Sequence, residues 1–263
     1  MSASTPVLLK YYGAKNLIAR RIISLMRPHR TYVEPFFGSG AVLFMKKKSQ
    51  VEIANDIDGE VVNFFRVVRD QPDRLIEALD FTPYARDEFE GLPDLPPTDD
   101  PVERARRFFV RLNAAFSGGT TGGFSVSGGG KINQAELFRS RVSQIRPYAW
   151  RLRTVEFENT DALEVIDRHD RPDTLFYLDP PYLAETRDSE NGYSHESKDQ
   201  RFHTALLKRL GDVQGQVVLS GYAHPLYEEM LSGWTRHEVY SRVVAKETRS
   251  RRTEVLWVNR QGG

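Results

Sequence analysis

Apolar positions in this chain follow two rhythms, and the rhythm changes twice along its length. Short runs with a strand-like apolar pattern predict strands near residues 31–34, 51–54, 153–157, 175–178, 216–220, 234–239 and 254–258. Helical spacing appears between them. Residues 16–26 present an apolar face at Ile18, Ile22, Leu25 and Met26, and a helix over 41–48 follows a glycine-rich turn. From 57 to 112 the strand signal disappears. Val61, Val62, Phe64, Phe65 and Val68 form a wide helical face, and a proline-rich turn at 92–97 precedes a helix over 102–112. Asn133 and Glu136 cap a further helix with its face at Phe138, Val142, Ile145 and Ala149. The βα alternation then returns. One helix follows Asp161, with Glu164 at the capping-box position; another, capped by Ser197 and Gln200, aligns Phe202, Leu206 and Leu210. A helical block inside a βα pattern predicts an insertion in an α/β fold.

Composition narrows this picture only slightly. The 263 residues suffice for one large α/β domain, or for a core domain plus an insertion. The hydrophobic share of 40% and charged share of 28% are those of an ordinary globular protein. No apolar run approaches the ~18 residues of a membrane span, and residues 1–6 lack a signal-peptide pattern. The absence of cysteine excludes disulfides and thiolate metal sites, and fits a reducing, cytoplasmic location. The six histidines lack metal-ligand spacing, so no metal is expected. A net charge of +1 says little about partners, and only local basic clusters bear on nucleic acid.

The candidate chemistry lies where the apolar runs stop. The run at 175–178 ends at Asp179-Pro180-Pro181-Tyr182. Neither proline can donate to a ladder, so the sheet ends there and Asp179 and Tyr182 stand at its carboxyl edge, where open α/β folds bind ligands. The lost N–H donors leave a local surplus of acceptors beside an aromatic face, which suits a planar ring bearing an exocyclic amino group. Asp179 and the Pro180 carbonyl would each accept one N–H, with Tyr182 stacking. Upstream, Tyr11 and Lys15 precede a helix start, a place to receive a carboxylate. The turn at 35–40, with Gly38 and Gly40, joins a strand to a helix and lets a ligand approach the backbone, but it matches neither the dinucleotide fingerprint nor a P-loop. Asp56 ends the second strand, roughly fifteen residues after the glycines, where such units bind ribose hydroxyls; the competing role is an ordinary helix cap. Seven glycines between Ser117 and Gly130 read as a flexible loop or a mobile hairpin. Five arginines and no acid occupy 139–153, interleaved with Tyr148 and Trp150, and a second basic segment covers 242–252. Either segment is a phosphate-binding surface or a solvated face.

In chain order, Lys10-Tyr11-Tyr12-Gly13-Ala14-Lys15, then Glu34-Pro35-Phe36-Phe37-Gly38-Ser39-Gly40, then Asn55-Asp56-Ile57-Asp58, then Asp179-Pro180-Pro181-Tyr182 resemble the motifs of the Dam-like, alpha-class adenine-N6 DNA methyltransferases. The resemblance spans most of the chain. It implies an α/β fold: a Rossmann-like S-adenosylmethionine-dependent methyltransferase sheet, built from 1–56 and 151–263, with a mainly helical target-recognition insertion at 57–150. The implied cofactor is S-adenosylmethionine. Tyr11 and Lys15 would hold its methionine end, and the turn carrying Pro35, Phe36, Gly38 and Gly40 would admit it to the backbone. Asp56 would take the ribose hydroxyls and Asp161 the adenine edge, with Asp179 also bordering the cofactor. Asp179, Pro180 and Tyr182 would be catalytic, acting on an adenine flipped out of double-stranded DNA. Asn113, Phe124, Lys131, Arg139, Arg249, Arg251 and Arg252 would contact that DNA. A cognate restriction endonuclease is a candidate partner, and a membrane is not expected. The competing readings are methylation of cytosine N4 or of adenine in RNA, and a nucleic-acid-binding module without turnover.

Overall fold

A computed structural model describes residues 8–11, 15–116, 123–127, 133–183, 200–241 and 252–259. Lys131, Arg249 and Arg251, Ser197 with the loop after Leu183, and most of the glycine-rich stretch lie outside these residues. Of Arg252 only the backbone is described. The chain divides into two compact units. Among the described residues, the first takes in 8–11 and Asp58–Phe157, and the second takes in Lys15–Ile57 and everything from Glu158 onward.

The strands are β1 (Thr31–Glu34), β2 (Val51–Asn55), β3 (Val155–Glu158), β4 (Thr174–Leu178), β5 (Gln216–Tyr222), β6 (Thr235–Ser241) and β7 (Arg252–Val258). They form one sheet in the order β3-β2-β1-β4-β5-β7-β6, with β3 lying across the boundary between the units. β1 pairs in parallel with β2 and β4, and β4 pairs in parallel with β5. β7 runs antiparallel between β5 and β6. The chain therefore reverses its direction of travel across the sheet between β1 and β4. That makes the carboxyl ends of these two strands the topological switch point of a doubly wound fold. β4 is buried at all five positions, as a central parallel strand covered on both faces should be.

The helices are α1 (Ala19–Ser24), α2 (Ala41–Met45), α3 (Gly59–Asp70), α4 (Pro72–Asp80), α5 (Arg86–Glu90), α6 (Pro101–Ala114), α7 (Gln134–Val142), α8 (Ile145–Leu152), α9 (Ala162–His169), α10 (Gln200–Gly211) and α11 (Pro225–Met230). Two sequence expectations change. The helix expected over 16–26 is a 3-10 turn at Lys15–Leu17 followed by the short α1, whose N-cap Ile18 has no side chain able to cap it. The single helix expected after Asn133 is two, α7 and α8. Pro147 lacks the N–H that would continue α7, and it is tolerated only in the first turn of a new helix.

Each unit has its own core. In the first unit, Phe64 packs on Phe65, Phe108 and Phe109, and Phe109 meets Phe138 edge-on at 5.2 Å. In the second, Val33, Ile53, Phe176, Leu178, Val217 and Leu219 from the strands meet Val165, Ile166, Leu206 and Leu210 from α9 and α10. Trp257 of β7 closes this core beside Tyr227, at 5.1 Å. A Cβ added at Gly221 would come within 3.1 Å of the Trp257 ring, so the indole fills its space up to the neighbouring backbone. Trp257 is 1% exposed. Trp257→Ala is therefore expected to cost about 3–5 kcal/mol, read as a lowered urea midpoint. A change below about 1 kcal/mol would show that the indole does not anchor this end of the sheet.

Candidate active site

The turn after β1 is shaped by its glycines. Gly38 and Gly40 hold positive φ of 49° and 65°, a region open to glycine at no cost. A Cβ at Gly40 would lie 2.4 Å from the Phe37 ring and 2.7 Å from Phe44, so space as well as dihedral angle excludes a side chain there. Three hydrogen bonds tie the turn to the end of β2: Phe37 N–H to Asn55 O (2.8 Å), Gly38 N–H to Asp56 Oδ2 (2.8 Å), and Asn55 Nδ2 to Pro35 O (2.9 Å). Asn55 also exchanges two bonds with Thr160: Nδ2 donates to its carbonyl (3.1 Å), and its N–H donates to Oδ1 (3.0 Å). Asn159 Nδ2 donates to the carbonyls of Asp56 (2.7 Å) and Ile57 (3.2 Å). One buried asparagine and its neighbour thus brace three loops at the carboxyl edge.

The helix-cap role does not fall to Asp56. The cap of α3 is Asp58, whose carboxylate accepts from Glu60 N–H at 2.9 Å. Asp56 instead faces the glycine turn. Asp161 does cap a helix, accepting from Leu163 N–H at 2.8 Å, and is exposed.

Beyond β4, Asp179 is held from two sides. Lys15 Nζ lies 2.9 Å from its Oδ2, and the Tyr182 hydroxyl donates to its Oδ1 at 3.1 Å. Lys15 is 5% exposed, sits 4.9 Å from the Tyr182 ring centroid, and lies 3.9 Å from Glu254 Oε2. Tyr222 meets the Tyr182 ring edge-on at 4.6 Å. Behind these groups, Glu34 is fully buried and accepts the Tyr32 hydroxyl at 2.8 Å. Burial above all, reinforced by the Asp179 charge and opposed by the Tyr32 hydrogen bond and Lys46, pushes its pKa up to about 8. Burial likewise raises the phenols of Tyr32 and Tyr177. The site therefore combines a fixed carboxylate, one buried ammonium and an aromatic pair, backed by groups that are neutral near pH 7. Such a set can accept hydrogen bonds from an amino group and hold a planar ring.

The family model for D12 class N6 adenine-specific DNA methyltransferases matches residues 11–250. The chain belongs to that family. Two curated relatives support the assignment. The Type II methyltransferase M1.LlaDCHI of Lactococcus lactis subsp. cremoris is 28% identical over 275 residues, covering 95% of this chain and 94% of the relative. The Type II methyltransferase M.MjaIII of Methanocaldococcus jannaschii is 26% identical over 238 residues, covering 76% and 80%. Among solved structures, an rRNA methylase from Streptococcus thermophilus aligns over 94% of this chain and 97% of its own, at a TM-score of 0.37 and 10% identity. This adenine-N6 DNA methyltransferase thus carries the Rossmann-like sheet expected of an S-adenosylmethionine-dependent enzyme. The residues present fit such a cofactor: a backbone-accessible turn without side chains at Gly38 and Gly40, a buried cation at Lys15, and a carboxylate at Asp56 facing the turn.

The other residues singled out in the sequence have contacts of their own. Tyr11 is half-buried in the first unit, and Phe36 packs edge-on against Phe202. Asn113, expected at DNA, is 1% exposed; it accepts from Lys10 N–H at 3.0 Å and donates to Leu8 O at 3.3 Å, so its amide is used inside the first unit. Phe124 packs against Tyr84 and Phe89, with the Arg86 guanidinium over its ring. Arg139 donates to the carbonyls of Leu79, in the last turn of α4, and Thr82, just past it. Among the described residues, no helix is long and apolar enough to cross a membrane, and no histidine, cysteine or carboxylate group could hold a metal.

Sequence reasoning missed Glu254, Tyr222 and the bracing asparagines Asn55 and Asn159. Glu254 opens an apolar strand, and nothing local distinguishes it from an ordinary strand-end acid. Asn55 adjoined Asp56 in a quoted motif, but its partners lie about a hundred residues away.

Glu34 yields a prediction. Its pKa is raised from 4.5 to about 8, so the folded state binds the proton more tightly than the unfolded chain does. Its contribution to stability is complete below about pH 4.5 and is lost as pH rises through about 8. Glu34→Gln, a neutral isostere, should flatten the fall in Tm between pH 5 and 8 that wild type shows. Parallel Tm–pH curves for the two proteins would refute a protonated Glu34.

Proposed function

We propose that Asp179, the Pro180 carbonyl and Tyr182 act on an adenine flipped out of duplex DNA at a specific sequence. The observation that carries this reading is the Asp179 carboxylate, gripped by Lys15 and Tyr182 at the switch point of the sheet. Adenine N6 is a poor nucleophile because its lone pair is delocalised into the ring. Asp179 and the Pro180 carbonyl, each accepting one N6–H, favour a pyramidal nitrogen whose lone pair points out of the ring plane. Tyr182 stacks on the base and fixes that plane. S-adenosylmethionine, when bound, supplies a methyl group on a sulfonium. The protein's task is then in-line positioning and electrostatic stabilisation, and the N6 proton leaves after transfer, when the nitrogen is cationic. A base within the duplex cannot reach such a pocket, so flipping is required.

The remaining roles follow the same reading. Lys15 pairs with the cofactor's carboxylate, together with Tyr11. Asp56, aligned by Gly38 N–H, accepts the ribose hydroxyls, and Asp161 retains an oxygen for the adenine edge beside its capping bond. The first, helical unit serves target recognition, and the arginines of 242–252 contact phosphates. The Type II naming of the two curated relatives supports a restriction-modification role with a cognate endonuclease.

Labelled S-adenosylmethionine incubated with unmethylated genomic DNA, followed by nucleoside analysis and site mapping, tests the whole. N6-methyladenine at one short motif is expected; label confined to RNA or to N4-methylcytosine would replace the substrate. Asp179→Ala should lower the transfer rate by on the order of 10²–10³ while DNA binding stays within about twofold, and retained turnover would remove Asp179 from the mechanism. Asp56→Ala should weaken cofactor binding about tenfold by calorimetry, a loss of about 1.4 kcal/mol. An unchanged Kd would refute the ribose role.

A further inference from the structure

Glu254 is a buried carboxylate to which the roles above give no task. It stands on β7 opposite Tyr222 of β5 and is 8% exposed. Because β7 runs against β5, the beginning of β7 lies beside the end of β5, which brings Glu254 to the same sheet edge as Asp179. Its Oε2 has no hydrogen-bond partner and lies 3.9 Å from Lys15 Nζ. Burial raises its pKa, the Lys15 charge opposes that rise, and the Asp179 charge adds to it. A buried oxygen left without a donor is destabilising. Such a cost makes sense where another state of the site supplies the donor.

Asp179 defines that other state. Both of its oxygens already hold a donor, Lys15 on Oδ2 at 2.9 Å and the Tyr182 hydroxyl on Oδ1 at 3.1 Å. A substrate N–H must compete with one of them, and a buried ammonium released from Asp179 needs another carboxylate at once. Among the described residues, the groups around Glu254 are Lys15 from the 3-10 turn, Asp179 and Tyr177 from β4 and its loop, and Tyr222 across the strand pair. Among them Lys15 is the cation. Its Nζ, at 3.9 Å, lies about 0.7 Å outside hydrogen-bonding range of Glu254, a gap on the scale of a side-chain adjustment.

We propose that Glu254 is a positioning residue: it receives the Lys15 ammonium when a substrate amino group takes that ammonium's place on Asp179. The inference rests on the adenine-N6 reading of the site. The ammonium has three donors, so one can stay on the cofactor's carboxylate while another passes from Asp179 to Glu254, and Asp179 gains full acceptor capacity as the base arrives. Glu254 touches neither substrate nor cofactor in this scheme and acts through Lys15 alone.

The test compares wild type with Glu254→Gln in labelled methyl transfer to unmethylated genomic DNA across pH, with calorimetry of cofactor binding and Tm alongside. A roughly tenfold fall in kcat is expected, with the cofactor Kd within twofold and the acidic limb of the kcat–pH profile moved. An unchanged kcat in an otherwise active protein overturns the proposal. So does a fall in kcat that leaves the acidic limb in place, since that is what a purely structural role produces. If the glutamine variant does not fold, Glu254→Asp keeps the charge and should show reduced kcat with the limb retained; loss of the limb in that variant overturns the proposal. Failure of wild type to methylate DNA adenine at all would instead remove the reading on which the exchange is built.

Discussion

A lysine ammonium buried to 5% exposure must have a counter-charge, and the geometry at the carboxyl edge of the sheet supplies one on each side of Lys15. Asp179 reaches it because Pro180 and Pro181 end β4 there and turn the chain outward. Glu254 reaches it because the antiparallel β7 brings its first residues to the edge where the parallel strands finish. Glu34, at the end of β1, is fully buried and also feels the Asp179 charge, and together these outweigh Lys46 and the Tyr32 hydrogen bond. It therefore stays protonated near neutral pH. Three carboxylates thus share one edge in three different states: one paired, one poised at 3.9 Å, and one neutral. Topology creates those differences, since the three side chains are chemically almost the same.

Keeping such a cluster in register requires loops that do not drift. The loops after β1, β2 and β3 are hydrogen-bonded to one another through Asn55, Asn159 and Asp56. Each of these bonds is worth only about 1 kcal/mol net. Their effect is geometric. They hold the glycine turn at Gly38 and Gly40 in one shape, so that the backbone stays open to a ligand at no further cost on binding. A methyl transfer that depends on in-line alignment needs this rigidity more than it needs any single strong contact.

Much of this was legible in the sequence, and the limits have physical causes. The central strands were readable because β1, β4 and β5 are buried, and β1 and β4 stop at a proline or an acid. The Asp179 to Tyr182 motif was readable because two adjacent prolines leave few alternatives to a loop at a sheet edge. Asp56 was ambiguous between cap and ligand; a neighbouring acid, Asp58, turned out to be the cap. What stayed hidden was long-range. The Lys15–Asp179 pair joins residues more than 160 positions apart, and Glu254 completes the cluster from the last described strand. The break between α7 and α8 is a local miss, since the apolar period continues straight through it. Pro147 was in view, and its missing N–H mattered more than the period.

The arginine-rich run shows why charge composition does not give direction. Arg139 is spent on two helix-end carbonyls, Arg146 pairs with Asp73, and Arg153 lies over the Trp150 ring. Elsewhere in the same unit, Arg104 pairs with Glu60, Arg107 with Glu103, and Arg106 with both Glu103 and Glu88. The exposed Arg146–Asp73 pair adds little to stability, but every such pair cancels a charge that would otherwise attract a polyanion at long range. A helical unit neutralised in this way contributes little non-specific, salt-sensitive attraction. Any discrimination it supplies must come from shape and from hydrogen bonds to base edges. In a site-specific enzyme that is an advantage, because attraction shared by every sequence does nothing to separate one site from the rest.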